Sequence, residues 1–176
     1  MRGLVHVYTG DGKGKTTAAL GLAFRAVGCG FRVVMIQFLK DSPTGELESC
    51  QKFGSQFQIL RFHEGHKGFF WNMDDSEKRE FRQEVCHAFS EAETFLPPGA
   101  CDMLILDEIL GCVQNGFISE EELCRFIQKK PEQLELILTG RNAPECVKNL
   151  ADYVSEICAV KHPMDSGTPA RRGIEF

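Results

Sequence analysis

The stretch Thr9-Gly10-Asp11-Gly12-Lys13-Gly14-Lys15-Thr16-Thr17 decides how the rest of the chain is read. It follows a short apolar run, residues 4–8. It precedes a segment in which Ala18, Leu22 and Ala26, with Leu20, Phe24 and Val27, recur at helical spacing. A phosphate chain needs backbone N–H groups close to its oxygens, and glycine permits that approach because no Cβ intervenes. A helix starting at the loop adds its positive end to the same anion. Lys15 supplies a mobile charge for the outer phosphates, and the Thr16 hydroxyl suits Mg²⁺. The pattern departs from Gly-x-x-x-x-Gly-Lys-Thr at one place: its first glycine position holds Thr9, and the glycine stands at Gly10. Nucleotide binding is the reading, with residues 9–17 as the phosphate-binding loop.

Outward from this loop, strand-like and helix-like segments alternate. Gly28 and Gly30 stop the first helix, and residues 31–39 are β-branched and aromatic enough for a buried strand. After Pro43 and Gly45 come a short helix over 46–53 and a strand over 57–62. Residues 63–75 read as an irregular loop, and 76–96 as the longest helix, with Phe81, Val85, Phe89 and Ala92 on one face. The strand 102–106 runs into Asp107-Glu108. Ser119 and Glu122 form a capping box that opens a helix over 120–128. Strands over 134–138 and 154–160, with a helix over 145–151 between them, complete the pattern. The alternation predicts an α/β fold with a mostly parallel central sheet and helices on both faces. At 176 residues it is a single domain, 1–176.

Ligands of parallel sheets sit beyond the carboxyl ends of the strands. The phosphate loop and Asp107-Glu108 both lie there, so they are expected to share one crevice, where a carboxylate can hold Mg²⁺ opposite Thr16. Glu108 is the first choice and Asp107 the second. Thr139-Gly140-Arg141 follows another strand, and for Arg141 a phosphate contact and a structural turn are both open. Arg25, well along the first helix, reads by itself as a surface or interface residue. His63-Glu64-Gly65-His66 resembles a metal pair, but the glycine makes it a loop, and solvated histidines are expected. Phe69, Phe70 and Trp71 stand in a row in an otherwise polar loop. They either plug the sheet edge or cover a large apolar ligand.

Composition excludes several classes. Hydrophobic residues at 43% and charged residues at 26% belong to a globular chain, not a disordered one. Lys plus Arg at 20 against Asp plus Glu at 25 leaves −5, without the electrostatic footprint of a nucleic-acid binder. The eight cysteines form no CxxC pair, and several lie in apolar stretches such as 109–113 and 123–127. They read as free thiols in a reducing cytoplasm. Residues 1–7 are too short an apolar run for a leader. No run reaches the ~20 residues of a spanning helix, so no membrane segment is expected.

Residues 10–19, with Gly21, Arg25, Ala26, Gly28 and Gly30, resemble the ATP:corrinoid adenosyltransferases of the phosphate-loop type, the cob(I)alamin adenosyltransferase family. The resemblance continues through Gln37-Phe38-Leu39-Lys40, Leu106-Asp107-Glu108, Thr139-Gly140-Arg141 and Val160-Lys161-His162-Pro163, and into residues 170–176. The displaced first glycine is a feature of that family. The resemblance implies a RecA-like, usually dimeric enzyme that moves the 5′-deoxyadenosyl group of ATP onto Co(I) of a corrinoid (cobalamin, cobinamide or cobyrinic acid a,c-diamide). Triphosphate leaves whole. It implies Lys13, Lys15, Thr16, Thr17 and Arg25 as phosphate contacts, Thr16 and Glu108 at Mg²⁺ or Mn²⁺, and Phe69 and Trp71 against the lower face of the corrinoid. Catalysis then rests on Lys15, Thr16 and Glu108, and a reduced flavoprotein is the implied electron donor. Some members carry an extension before the first strand that helps to close the site; here only a few residues precede it, and the aromatic loop or the C-terminal tail is expected to take over that shielding. The phosphate loop by itself leaves a small nucleotide or metabolite kinase as the alternative, with Arg171-Arg172 as its only arginine-rich segment.

Overall fold

In the computed structural model, which describes residues 2–40, 42–62 and 74–176, strand β4 (Met103–Asp107) is buried along its whole length. Its alternate residues feed two separate cores, as the period of two in a strand requires. Met103 and Ile105 point to one face, together with Val33 and Met35 of β2 (Val33–Gln37) and Ile137 of β5 (Glu135–Thr139). Leu104 and Leu106 point to the other, with Val34, Ile36, Leu136 and Leu138. Strands apolar on both faces must be covered on both faces, which is why their sequences read as continuous apolar runs.

Helices supply the cover. Ala19, Ala23 and Ala26 of α1 (Lys15–Gly28) and Cys50 of α2 (Gly45–Gln51) pack on the first face. The second takes Phe81, Val85, Ala88 and Ala92 of α3 (Asp75–Glu93) and Ile109 and Leu110 of α4 (Ile109–Gln114). It also takes Leu123, Phe126 and Ile127 of α5 (Glu120–Lys129) and Val147 of α6 (Glu145–Leu150). With β1 (Val5–Thr9), β3 (Phe57–Leu60) and β6 (Tyr153–Glu156), the six strands run in the order β3-β2-β4-β5-β1-β6. Every neighbouring pair is parallel, so the sheet is wholly parallel. All six carboxyl ends therefore share one edge of the sheet, and β5 stands between the phosphate-loop strand β1 and the acidic strand β4.

The sequence expectations hold for element order, and the differences have local causes. α1 starts at Lys15, not residue 17, because the end of the phosphate loop is already the helix's first turn. The predicted capping box of α5 is present, and α3 has a second, in which Asp74 accepts from the N–H groups of Ser76 and Glu77. The six-residue α4 is absent from the sequence reading. It has no side-chain cap and is too short to show a helical period. β6 ends at Glu156, well before residue 160, since Ile157 turns to receive the Gly12 N–H at 2.7 Å. Cys50, Cys101 and Cys112 are buried as small hydrophobes, whereas Cys29, Cys86 and Cys158 are exposed; all eight are free thiols. No helix among the described residues is long and apolar enough to cross a membrane.

Leu106 is fully buried between β4's neighbours and the helices of the second face. Leu106→Ala is expected to cost about 2–5 kcal/mol. In urea denaturation the midpoint should fall with an unchanged slope.

Candidate active site

A cleft of about 870 Å³ opens at the carboxyl edge of the sheet. Asp11, Gly12, Lys13, Gly14, Lys15 and Thr16 form its floor, and Glu108 and Arg141 reach it from the ends of β4 and β5. Leu20, Phe24, Phe53 and Phe57 supply an apolar wall. The C-terminal residues Gly173 to Phe176 also line the cleft.

The glycines of the loop do different work. Gly14 has φ 127 with open space around its missing Cβ, so only its backbone conformation demands glycine. At Gly10 and Gly12 the demand is steric. A Cβ on Gly10 would lie 2.5 Å from the Ile157 carbonyl oxygen, and one on Gly12 would lie 2.7 Å from the backbone of Cys158. The chain leaving β6 thus presses against the loop, and glycine makes room for the protein's own backbone as well as for a phosphate.

Lys15 is almost wholly buried, and its ammonium donates to the carbonyls of Gly10 at 2.6 Å and Gly12 at 2.9 Å. Burial pushes it below the ordinary lysine range, against the pull of Glu108 and other carboxylates. Lys13 is half exposed and faces Glu175 of the C-terminal tail at 3.9 Å. Arg141 lies 3.6 Å from Asp11 across the mouth, and both are too exposed for this pair to count for much.

Asp107 is the centre of the polar network. Its carboxylate has no exposed surface, and Oδ1 accepts from the hydroxyls of Thr16 at 2.8 Å and Thr139 at 2.7 Å. Oδ2 receives Lys40 at 2.8 Å and, more distantly, Gln37 Nε2 at 3.4 Å. Glu108 follows in the left-handed conformation, φ 63, with its N–H donating to Thr139 Oγ1 at 2.9 Å. That turn directs its side chain into the cleft, where burial and the adjacent Asp107 raise its carboxyl above the ordinary glutamate range. Among the described residues, the three non-glycine residues with positive φ are Leu39, Glu108 and Asn142, each just beyond the end of a strand at this edge. Strained backbone of this kind concentrates where a site is built.

A family model described as ATP:corrinoid adenosyltransferase BtuR/CobO/CobP matches residues 1–176. The chain belongs to this family. It is 38% identical over 99% of its length to the corrinoid adenosyltransferase of Escherichia coli (strain K12), spanning 86% of that protein. The corrinoid adenosyltransferase CobA of Salmonella typhimurium is 37% identical, with the same coverage on both sides. The corrinoid adenosyltransferase of Pseudomonas aeruginosa is 31% identical over 99% of this chain and 84% of its own. Among solved structures, the flagellar accessory protein FlaH of Methanocaldococcus jannaschii superposes with a TM-score of 0.57 at 12% identity, covering 88% of this chain and 71% of that one. That likeness concerns the fold alone, which is the α/β, RecA-like arrangement expected from the sequence.

Of the site residues expected for this adenosyltransferase, the structure brings Asp11, Gly12, Lys13, Gly14, Lys15, Thr16, Thr17, Glu108 and Arg141 to one cleft. Thr9 and Gly10 do not line it: Thr9 is buried and its hydroxyl accepts from the Ala143 N–H at 3.2 Å. Arg25 is exposed and does not line the cleft. The carboxylate bonded to Thr16 is that of Asp107, the second choice, not Glu108. His63, His66, Phe69, Phe70 and Trp71 lie outside the described residues. Sequence reasoning gave no role to Lys40, Gln37, Glu46 or the apolar wall. Lys40 could have been found, since it follows the end of β2, the strand paired with β4.

Asp107→Asn leaves Lys40 only its looser ion partner, Glu46 at 3.9 Å, and is expected to cost about 3 kcal/mol, the low end for breaking a buried pair. Glu108→Gln, which relieves the crowding of two carboxylates, should leave the metal-free protein at least as stable as the parent. Thermal melts at neutral pH in the presence of a chelator compare the two; a Glu108→Gln protein less stable than Asp107→Asn reverses the assignment.

Proposed function

We propose that the cleft binds ATP by its triphosphate and holds C5′ for attack by the Co(I) of a corrinoid, as its family membership implies. The observation that carries this reading is the meeting of Thr16 with Asp107 at 2.8 Å beneath the phosphate loop, in a chain matched end to end by an adenosyltransferase model. In the reaction a Co–C5′ bond forms as the C5′–O bond breaks, and triphosphate leaves with the electron pair. The nucleophile carries no proton, so no general base is needed; the chain's task is to position C5′ and stabilise the charge growing on the leaving group. Lys13, Lys15, Lys40 and Arg141 are the cations placed for this. To meet a phosphate, Lys15 exchanges the two loop carbonyls it now holds for phosphate oxygens.

The Thr16 hydroxyl and the carboxylates of Asp107 and Glu108 are hard oxygen donors and fit Mg²⁺ or Mn²⁺. When bound there, the metal neutralises charge on the triphosphate. The apolar wall of Leu20, Phe24, Phe53 and Phe57 suits the uncharged part of the nucleotide. Phe69, Phe70 and Trp71 are proposed against the corrinoid on the family resemblance, as are a homodimer, a reduced flavoprotein donor and a cytoplasmic location. The acceptor is a cob(I)yrinic acid a,c-diamide or cob(I)alamin type of corrinoid. γ-Phosphoryl transfer finds no support among the relatives.

Product analysis tests the reading: with MgATP and chemically reduced cobalamin, triphosphate and an alkylcobalamin spectrum are expected, and ADP would overturn it. Lys15→Ala should lower the rate by about 10²–10³. Trp71→Ala should lose most activity when the assay starts from Co(II) with a flavoprotein donor and far less when it starts from Co(I). Equal losses would remove Trp71 from the reduction step.

A further inference from the structure

Lys40 occupies an unusual position for a lysine at the mouth of a nucleotide cleft. Its ammonium lies 2.8 Å from Asp107 Oδ2, 3.3 Å from Thr16 Oγ1 and 3.9 Å from Glu46 Oε1. It therefore touches both groups that, on the reading above, flank the divalent cation. The backbone is arranged to put it there. Phe38 N–H donates to the Asp107 carbonyl at 2.9 Å, extending the β2–β4 pairing by one step. Leu39 then adopts φ 55, a left-handed turn that a branched side chain rarely takes, and returns Lys40 over the strand ends.

The partners of Lys40 are themselves held. Glu46 accepts from Gln37 Nε2 at 3.0 Å, and Gln37 Oε1 accepts from Arg61 Nε at 2.8 Å. Arg61 also donates to the Ser42 carbonyl at 2.7 Å, which ties down the segment leading into α2. Lys15 does not compete for Asp107, because its ammonium is directed to loop carbonyls. All of Asp107's acceptor capacity is thus in use, two hydroxyls on one oxygen and Lys40 with Gln37 on the other. A divalent cation reaching Asp107 and Thr16 has to displace the ammonium.

We propose that Lys40 is the resident cation of this site: it holds the place of the divalent metal between Thr16 and Asp107, and gives it up only when nucleotide arrives with the metal. Metal by itself must drive a positive charge off a buried carboxylate with only Glu46, whose Oε1 already accepts from Gln37, to receive it. Metal carried on a triphosphate brings anionic oxygens to which the displaced ammonium can turn. Lys40 thereby couples metal binding to nucleotide binding. Since it lines the same cleft, it ends the exchange beside the group that leaves. The inference rests on the metal position proposed above.

The test measures Mn²⁺ affinity of the full chain by electron paramagnetic resonance, with and without ATP, in the parent, Lys40→Met, Lys40→Arg and Asp107→Asn. Without ATP, Lys40→Met should bind Mn²⁺ about tenfold tighter than the parent, equivalent to about 1.4 kcal/mol. Lys40→Arg, which keeps the charge on Asp107, should stay as weak as the parent. With ATP the parent and Lys40→Met should converge, so that the gain in Mn²⁺ affinity on adding ATP is larger for the parent. In chelator, Lys40→Met should also melt lower than the parent, and Mn²⁺ should restore much of the difference. Equal Mn²⁺ affinities of parent and Lys40→Met without ATP overturn the role of Lys40, provided Asp107→Asn still weakens Mn²⁺ binding with ATP. If Asp107→Asn does not weaken it, the metal lies elsewhere and both readings fall. Lys40→Gln serves in place of Lys40→Met should the latter fail to fold.

Discussion

A carboxylate with no access to water must be given partners by the fold, and the partners of Asp107 come from three other segments of the chain. Thr16 arrives from the start of α1, Thr139 from the end of β5, and Lys40 and Gln37 from the end of β2. An isolated buried charge is too costly to keep, so these groups converge or the strand end cannot be buried. The same interactions that satisfy Asp107 therefore gather the phosphate loop, the acidic strand and the lysine after β2 into one place. The active cleft is a consequence of solving that burial problem at the carboxyl edge of a parallel sheet.

The phosphate loop is held from the other side by the chain that leaves β6. Gly12 N–H donates to the Ile157 carbonyl, and Gly10 and Gly12 leave no room for side chains against residues 157 and 158. One loop amide is thus committed to the protein. Lys15 is folded back on its own loop, and Lys13 faces the tail through Glu175. Lys15 and Lys40, the less exposed cations of the site, are internally satisfied, so for them binding a triphosphate is an exchange of partners. Such exchange favours a polyanion that can satisfy several cations together over a single small anion.

The residues that specify the fold were legible because their signals are local. The apolar runs of β2, β4 and β5, the capping box at Ser119 and Glu122, and the Gly-Lys-Thr of the loop each depend on neighbours within a few positions. α4 was not, because six residues hold less than two turns, and its burial comes from packing on β5, which periodicity does not report. Thr9, included in the loop reading, and Arg25, implied by the family resemblance, also lie apart from the cleft. Thr9 is drawn into the core by the Ala143 N–H, and the turn of the α1 helix carries Arg25 away from the cleft.

By itself the sequence determined that strands and helices alternate, that the sheet is covered on both faces, and that a phosphate loop and two carboxylates each follow a strand. Those properties follow from spacing along the chain, which covalent geometry converts directly into faces and ends. Which carboxylate meets Thr16 was decided only by tertiary structure, because Asp107 and Glu108 differ by one residue and a strand points successive side chains in opposite directions. The left-handed turn at Glu108 separates them further. The position of Lys40 depends on β2 lying beside β4 across some seventy residues of chain, a pairing set by the packing of the whole sheet.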